Sequence, residues 1–175
     1  FNLFKKIKRI RFYGIETVEN TKFKNQYYAN ENGLNSRLDE IQASILNFKL
    51  KKIDFFIDKR RRIAKKYINE LVNTNLELPK ENKGTKHVYH LFTVSHSKAK
   101  FIKKKLFNLG IQSRSIYAYP IHEMKAYKKI IRNKKNLQIN LKKSREIFSL
   151  PLYPEIKNSE VRRIIKNLKK ILKNI

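Results

Sequence analysis

The reading turns on Gly33-Leu34-Asn35-Ser36-Arg37-Leu38-Asp39-Glu40-Ile41-Gln42-Ala43-Ser44-Ile45-Leu46, where an irregular segment passes into a helix. Ser36 followed three residues later by Asp39, just ahead of apolar positions, is a capping-box pattern and predicts a helix start at Ser36. A helix start exposes unpaired N–H groups and a partial positive charge. Asn35 and Arg37 add an amide and a guanidinium at the same place, a set of donors that could hold an anion such as phosphate. The plainer alternative is a capped structural helix whose N–H groups Asp39 and Glu40 already occupy. Residue chemistry alone favours that alternative.

The helix carries a second signal. At about 100° per residue, Leu38, Ile41, Ile45 and Phe48 form one apolar stripe, and Ala43, Leu46, Leu50 and Ile53 form another. Only Glu40, Ser44, Asn47 and Lys51 make a continuous polar edge. So wide an apolar arc predicts burial on more than one side, between one domain and a second domain or subunit.

Upstream, residues 1 to 13 read as a basic helix stopped by Gly14. Residues 15 to 34 read as an ordered loop in which Tyr27 and Tyr28 are the bulky pair. Downstream, the helix is expected to run from Ser36 to about Asn73, with the cation run Lys59 to Arg62 as a solvated face. Asn73 to Lys86, with Pro79 and Gly84, reads as a linker. His87 to Val94 reads as a strand buried on both faces. Ser97 is positioned to cap a helix bearing Phe101, Ile102, Leu106 and Leu109, ending at Gly110. A second strand is expected over Ile111 to Tyr119, and helices at about 123–132 and 139–148. Ser149-Leu150-Pro151-Leu152-Tyr153-Pro154 must be extended at its prolines. A last helix from Ser159 places Val161, Ile164, Ile165, Leu168, Ile171 and Leu172 inward.

Composition narrows the class. With 11 Phe and 9 Tyr among 175 residues, the chain has the aromatic content of a packed core rather than of a disordered tail. No run approaches the ~18 apolar residues of a membrane span, and no secretory signal is visible. The absence of cysteine excludes disulfides and thiolate metal sites and fits a cytoplasmic protein. The formal charge of +28 raises the alternative of a basic nucleic-acid-binding module, although the cations are spread along the chain rather than gathered in a tail. His87 and His90, three apart on the expected strand, would face opposite ways and share no metal. No other spacing suggests a metal site, a phosphate loop or a nucleophile with its base. His122, just after Tyr117-Ala118-Tyr119-Pro120-Ile121, sits at an expected strand end where a side chain can face a cleft, although a structural role is the plainer reading of a lone histidine.

Taken together, these segments resemble the C-terminal portion of the DegT/DnrJ/EryC1/StrS sugar aminotransferases. The resemblance rests on Gly33 to Leu46, on Lys49-Leu50, on Arg60-Arg61-Arg62-Ile63-Ala64 to Tyr67, and on His87-Val88-Tyr89-His90-Leu91-Phe92. It continues through Tyr117 to His122, similar to a Tyr-Pro-x-Pro-x-His element, and Ser149-Leu150-Pro151-Leu152-Tyr153-Pro154, and covers nearly the whole chain. It implies an α/β fold: the C-terminal part of a fold-type-I, pyridoxal-phosphate-dependent transferase, with a long interdomain helix followed by a small α+β domain. Residues 1–35 would end the large cofactor-binding domain, 36–73 would form the connecting helix, and 74–175 would form the small domain.

The resemblance further implies a cofactor, pyridoxal 5'-phosphate, and a homodimer with its site shared between subunits. Asn35 would reach the phosphate of the neighbouring subunit's cofactor, with Arg37 as an anion contact beside it. Tyr117 and His122 would lie on the nucleotide-sugar side. The family often has His-Tyr-Pro where this chain has Ile116-Tyr117-Ala118, so its substrate contacts would differ. No catalytic residue is carried over, because the Schiff-base lysine belongs to the family's large domain, expected to precede Phe1. The implied activity is amination of a keto group on a dTDP- or UDP-linked deoxysugar, with glutamate as donor, for surface-polysaccharide or deoxysugar biosynthesis. The isolated chain is expected to be inactive. Its two-sided apolar helix would leave an adhesive face, so sedimentation of the purified chain should show dimers or larger species. A monodisperse monomer would contradict that expectation.

Overall fold

The computed structural model describes residues 2–15, 29, 31–127 and 137–175, which divide into two compact units, Phe1–Lys52 and Ile53–Ile175. Most of the loop expected over 15–34, with Tyr27 and Tyr28, lies outside the described residues, as does the second half of the helix expected at 123–132.

The first unit opens with helix α1, Asn2–Ile10. The chain then reverses through Gly14, whose φ of +73° falls in the left-handed region open to glycine. A returning segment pairs with this reversal. The Leu34 N–H donates to the Ile10 carbonyl at 2.7 Å, the Tyr13 N–H to Leu34 at 3.1 Å and the Ser36 N–H to Arg11 at 3.0 Å. Phe12 and Asn35 face each other in an antiparallel bridge. Because Ser36 is held extended by that pairing, it cannot open a helix. Helix α2 instead spans Glu40–Leu50, with Asp39 as its cap, accepting the Ile41 N–H at 2.8 Å. None of the α2 side chains is buried.

The single helix expected from Ser36 to Asn73 is two helices. At Lys52 the N–H turns back to the Lys49 carbonyl at 3.0 Å, a tightened i→i−3 closure that ends the first. Helix α3, Ile53–Leu71, begins the second unit. There follow strand β1, Phe92–Ser95, helix α4, Ala99–Asn108, helix α5, Gln138–Glu146, strand β2, Ile147–Leu150, and helix α6, Asn158–Lys173. β1 and β2 are antiparallel, with Phe92 opposite Leu150 and Ser95 opposite Ile147. Single bridges extend this pair on both sides, Glu77 to Ser95 and Arg114 to Ser149.

Four expectations change here. Residues 87–91 are not strand, since β1 starts only at Phe92; the opposite-face argument for His87 and His90 therefore lapses. The strand expected at 111–119 shrinks to the Arg114 bridge, because Ile116, Tyr117 and Tyr119 are exposed and have no apolar face to cover. The helix expected through 148 stops at Glu146, where Phe148 and Leu150 enter the core as strand residues. Residues 121–123 form a short 3-10 turn rather than the start of an α-helix.

The core lies between the two strands and helices α3, α4 and α6. Tyr67 and Leu71, Phe92 and Val94, Ile102 and Leu106, and Phe148 are fully enclosed. α6 buries the six apolar residues its 3.6-residue spacing selects. Its first turn is closed by Glu160, which accepts the Lys157 N–H at 2.8 Å. α4 carries no side-chain cap from Ser97; Lys98 holds that position. Its end follows the expected glycine pattern, with Gly110 at φ +71° and the Ile111 N–H bonded to the Leu106 carbonyl at 2.9 Å.

α3 holds the irregular segments around this core. The Tyr67 hydroxyl donates to the Pro151 carbonyl at 2.8 Å, and the Arg60 guanidinium reaches the carbonyls of His90 at 3.2 Å and Leu152 at 3.3 Å. Arg61 donates to Glu81 at 2.9 Å and to the His87 carbonyl at 2.7 Å, while Glu81 also accepts the His87 N–H at 3.0 Å. The run Lys59 to Arg62 is therefore not a simple solvated face: two of its arginines fasten the chain ahead of β1. The hydrogen bond from Arg61, then that from the His87 N–H, holds the Glu81 carboxyl below its ordinary value of 4.5. A carboxyl lowered in the folded state adds stability above its unfolded pKa, and that stability is lost as pH falls through the lowered value. Titrated by NMR, the His87 amide should therefore respond with a midpoint below 4.5, and Arg61→Gln should move that midpoint upward.

Candidate functional site

The segment bearing Asn35 and Arg37 owes its position to two glycines. A Cβ on Gly33 would lie 1.9 Å from the Gly14 nitrogen and 2.2 Å from the Tyr13 carbonyl carbon, and one on Gly14 would lie 1.8 Å from the Glu31 carbonyl oxygen. Backbone thus packs on backbone where no side chain fits. An ion pair between Arg9 and Glu31 secures the same contact from outside.

Beyond this clasp, Asn35 is exposed, and its amide makes no hydrogen bond among the described residues. The Arg37 guanidinium lies 5.5 Å from the centroid of the Phe12 ring, within cation–π range, and Phe12 is the residue bridged to Asn35. The structure therefore gathers these two residues around one aromatic ring. It places them in an extended segment, not at a helix N-terminus. The α2 terminus begins later, and Asp39 occupies its Ile41 N–H. The cap thus lies at Asp39 rather than at Ser36, apart from the two donors. An uncharged amide and a guanidinium, both open to solvent, form a donor set that suits a phosphate group.

The other two expected site residues part company. Tyr117 is 72% exposed, whereas His122 is 7% exposed within the turn Ile121–Glu123. His122 therefore does not open onto a cleft as its position after Pro120 suggested; the turn folds its ring inward. Ile116, beside Tyr117, lines a groove of about 660 Å3 with Arg114, Ser149, Leu152 and Arg163, but neither Tyr117 nor His122 does. Sequence reasoning passed over Ser149 as a sheet junction. Its backbone exchanges hydrogen bonds with Arg114, and its hydroxyl lies 3.0 Å from that of Thr93. It also passed over Ser113, whose hydroxyl is buried without a hydrogen-bond partner among the described residues.

By fold, the chain corresponds to part of aminotransferases of known structure. It superposes on Streptomyces venezuelae DesV, solved in complex with a ketimine intermediate, with a TM-score of 0.87 and 27% identity over 99% of this chain and 45% of that one. It also superposes on Bacillus subtilis NtdA with bound cofactor PMP, with a TM-score of 0.81 and 26% identity over 99% of this chain and 40% of the other. The chain belongs to the DegT/DnrJ/EryC1/StrS aminotransferase family, whose sequence model matches residues 2–169. The dTDP-3-amino-3,4,6-trideoxy-alpha-D-glucose transaminase of Micromonospora megalomicea is 32% identical over 95% of this chain and 44% of its own length. A UDP-N-acetyl-3-dehydro-alpha-D-glucosamine 3-aminotransferase of Acidithiobacillus ferrooxidans is 32% identical over 83% and 39%. The chain thus spans less than half the length of these relatives.

The glycine clasp makes a local prediction. Gly33→Ala should speed hydrogen exchange at the Tyr13, Leu34 and Ser36 amides, which the clasp pairs, while the amides of β1 and β2 keep their protection. Unchanged exchange at those three amides would show that the contact does not hold the Asn35 segment.

Proposed function

We propose that this chain is the C-terminal part of a pyridoxal-phosphate-dependent aminotransferase that aminates a keto group on a nucleotide-linked deoxysugar, with glutamate as donor. The observation that carries the reading is the presented pair Asn35 and Arg37, at the positions where the family resemblance puts cofactor-phosphate contacts. The names of the relatives, dTDP- and UDP-sugar transaminases among them, support the substrate class. Bound pyridoxal phosphate would supply the electron sink for moving an amino group. The part of this chain would be to hold the phosphate: Asn35 donates its amide N–H, and Arg37 adds a positive charge steadied over Phe12. Asn35 would act on the cofactor of a second subunit, which makes the active form a homodimer. Tyr117, exposed, would touch the nucleotide-sugar; His122, buried, would hold the turn beside it. Residues 1–35 would then complete a cofactor-binding domain, and the unit from Ile53 onward would be the small domain. A cytoplasmic role in surface-polysaccharide or deoxysugar synthesis accords with such a substrate. The alternative of a nucleic-acid-binding module has only the charge of +28 behind it.

The test uses the enzyme with its lysine-bearing domain, reading cofactor affinity by fluorescence rather than turnover. Asn35→Ala should weaken cofactor binding about tenfold or more, the loss of a charge-assisted hydrogen bond, and mixed dimers should show the defect in the partner's site. The 175-residue chain alone should give no cofactor absorbance band that borohydride abolishes. Unchanged affinity in Asn35→Ala would remove the phosphate role, and a borohydride-sensitive band from the chain alone would overturn the placement of the reactive lysine elsewhere.

A further inference from the structure

A second concentration of cations lies in the second unit, away from Asn35. One face of α3 carries Asp58, Arg61, Arg62 and Lys65, at spacings that share a side of a helix. That face and Lys80 and Glu81 of the following segment line a groove of about 750 Å3. The apolar part of its wall comes from Ile68, Pro79 and Tyr89. Such a volume falls within the range of about 300–1,000 Å3 common to small-molecule sites.

The charges are not matched within the groove. Glu81 is taken up by Arg61 and the His87 N–H. Arg62 and Lys65 are exposed and make no hydrogen bond or ion pair among the described residues. Lys80 feels the charge of Glu77, but Glu77 is already bonded to Lys143. Three cations, Arg62, Lys65 and Lys80, thus share the groove with one further carboxylate, Asp58, whose charge also acts on Arg61. Arg61, held through its Nη1 by Glu81 and the His87 carbonyl, is a fixed wall, whereas Arg62 and Lys65 are free to close on a ligand.

Tyr89 adds a separate observation. Its backbone sits at φ +47°, a costly conformation for a bulky residue. It is held there by the imidazole of His87, which accepts the Tyr89 N–H at 2.8 Å, while the two rings lie 4.2 Å apart. The strain is retained at the residue that forms the aromatic side of the groove.

We propose that this groove binds a phosphorylated small molecule bearing at least two phosphate charges and a planar or apolar group. The phosphates would lie on Arg62, Lys65 and Lys80, a guanidinium and two ammonium groups suited to them. The planar part would rest on Tyr89, Pro79 and Ile68. Asp58 bounds the cationic surface at one end, which suits a short ligand rather than a polymer. The proposal is independent of the cofactor role of Asn35.

Calorimetric titration of the chain with adenosine diphosphate and with inorganic pyrophosphate tests it. Both should bind saturably, with the nucleotide tighter because pyrophosphate has nothing to place on the apolar wall. The pair Arg62→Ala with Lys65→Ala should weaken adenosine diphosphate about tenfold or more. The control pair Lys166→Ala with Lys170→Ala, exposed on α6, should change it less than about twofold. Should the first pair lower the unfolding midpoint, the single charge reversal Lys65→Glu gives the same reading. Equal weakening by both pairs would show diffuse attraction to a chain of net charge +28 and overturn the site. So would linear, unsaturable heats, or a single-stranded oligonucleotide that displaces adenosine diphosphate at physiological salt.

Discussion

Gly14 and Gly33 meet backbone to backbone, and the first unit is arranged around that contact. It lets the segment 33–36 come close enough to the end of α1 for three main-chain hydrogen bonds to form. Those bonds keep Ser36 extended, which delays the helix to Glu40 and leaves Asn35 and Arg37 outside it. A side chain at either glycine would separate the strands of this pairing, and the donors would lose their common base on Phe12. The chemistry of the candidate site thus depends on two residues that contribute none of it.

In the second unit the same economy appears on α3. Its inward residues, Tyr67 and Leu71, enter the core, and the Tyr67 ring packs at a tilt against Phe92 with centroids 5.0 Å apart. Its next face sends Arg60 and Arg61 to backbone carbonyls of the loops that flank the strands. Guanidinium groups serve here because each offers several donors in a fixed plane. With two short strands and few sheet hydrogen bonds, such side-chain ties replace the pairing that a larger sheet would supply.

The parts of this architecture governed by local spacing were legible in the sequence. The inward face of α6, the end of α4 at Gly110 and the extended Ser149–Pro154 segment follow from periodicity, glycine and proline chemistry. What depended on distant partners was misread. Ser36 carries a proper cap pattern, but a main-chain bond to Arg11 takes its N–H. Residues 111–119 have strand-like composition, but only Arg114 finds a partner. Arg60 and Arg61 look like solvated charge until the carbonyls opposite them are known. Asn35 and Arg37 were legible as donors near a helix start, and the resemblance gave them a role. That His122 faces inward while Tyr117 faces out depends on a turn that no short-range pattern marks.

The single bridges at Glu77 and Arg114 also bear on how the chain behaves among its own copies. An open strand edge invites pairing with any extended chain that reaches it. Here the outer edge of β1 is occupied by one residue ahead of Pro79, which cannot donate to a ladder, and that of β2 by one residue ahead of an exposed turn. Each neighbour pairs once and then departs, so among the described residues neither edge carries a further full strand. A cationic or anionic side chain stands at each closing position. Templated growth is thereby opposed at one position on each edge of the central pair of strands.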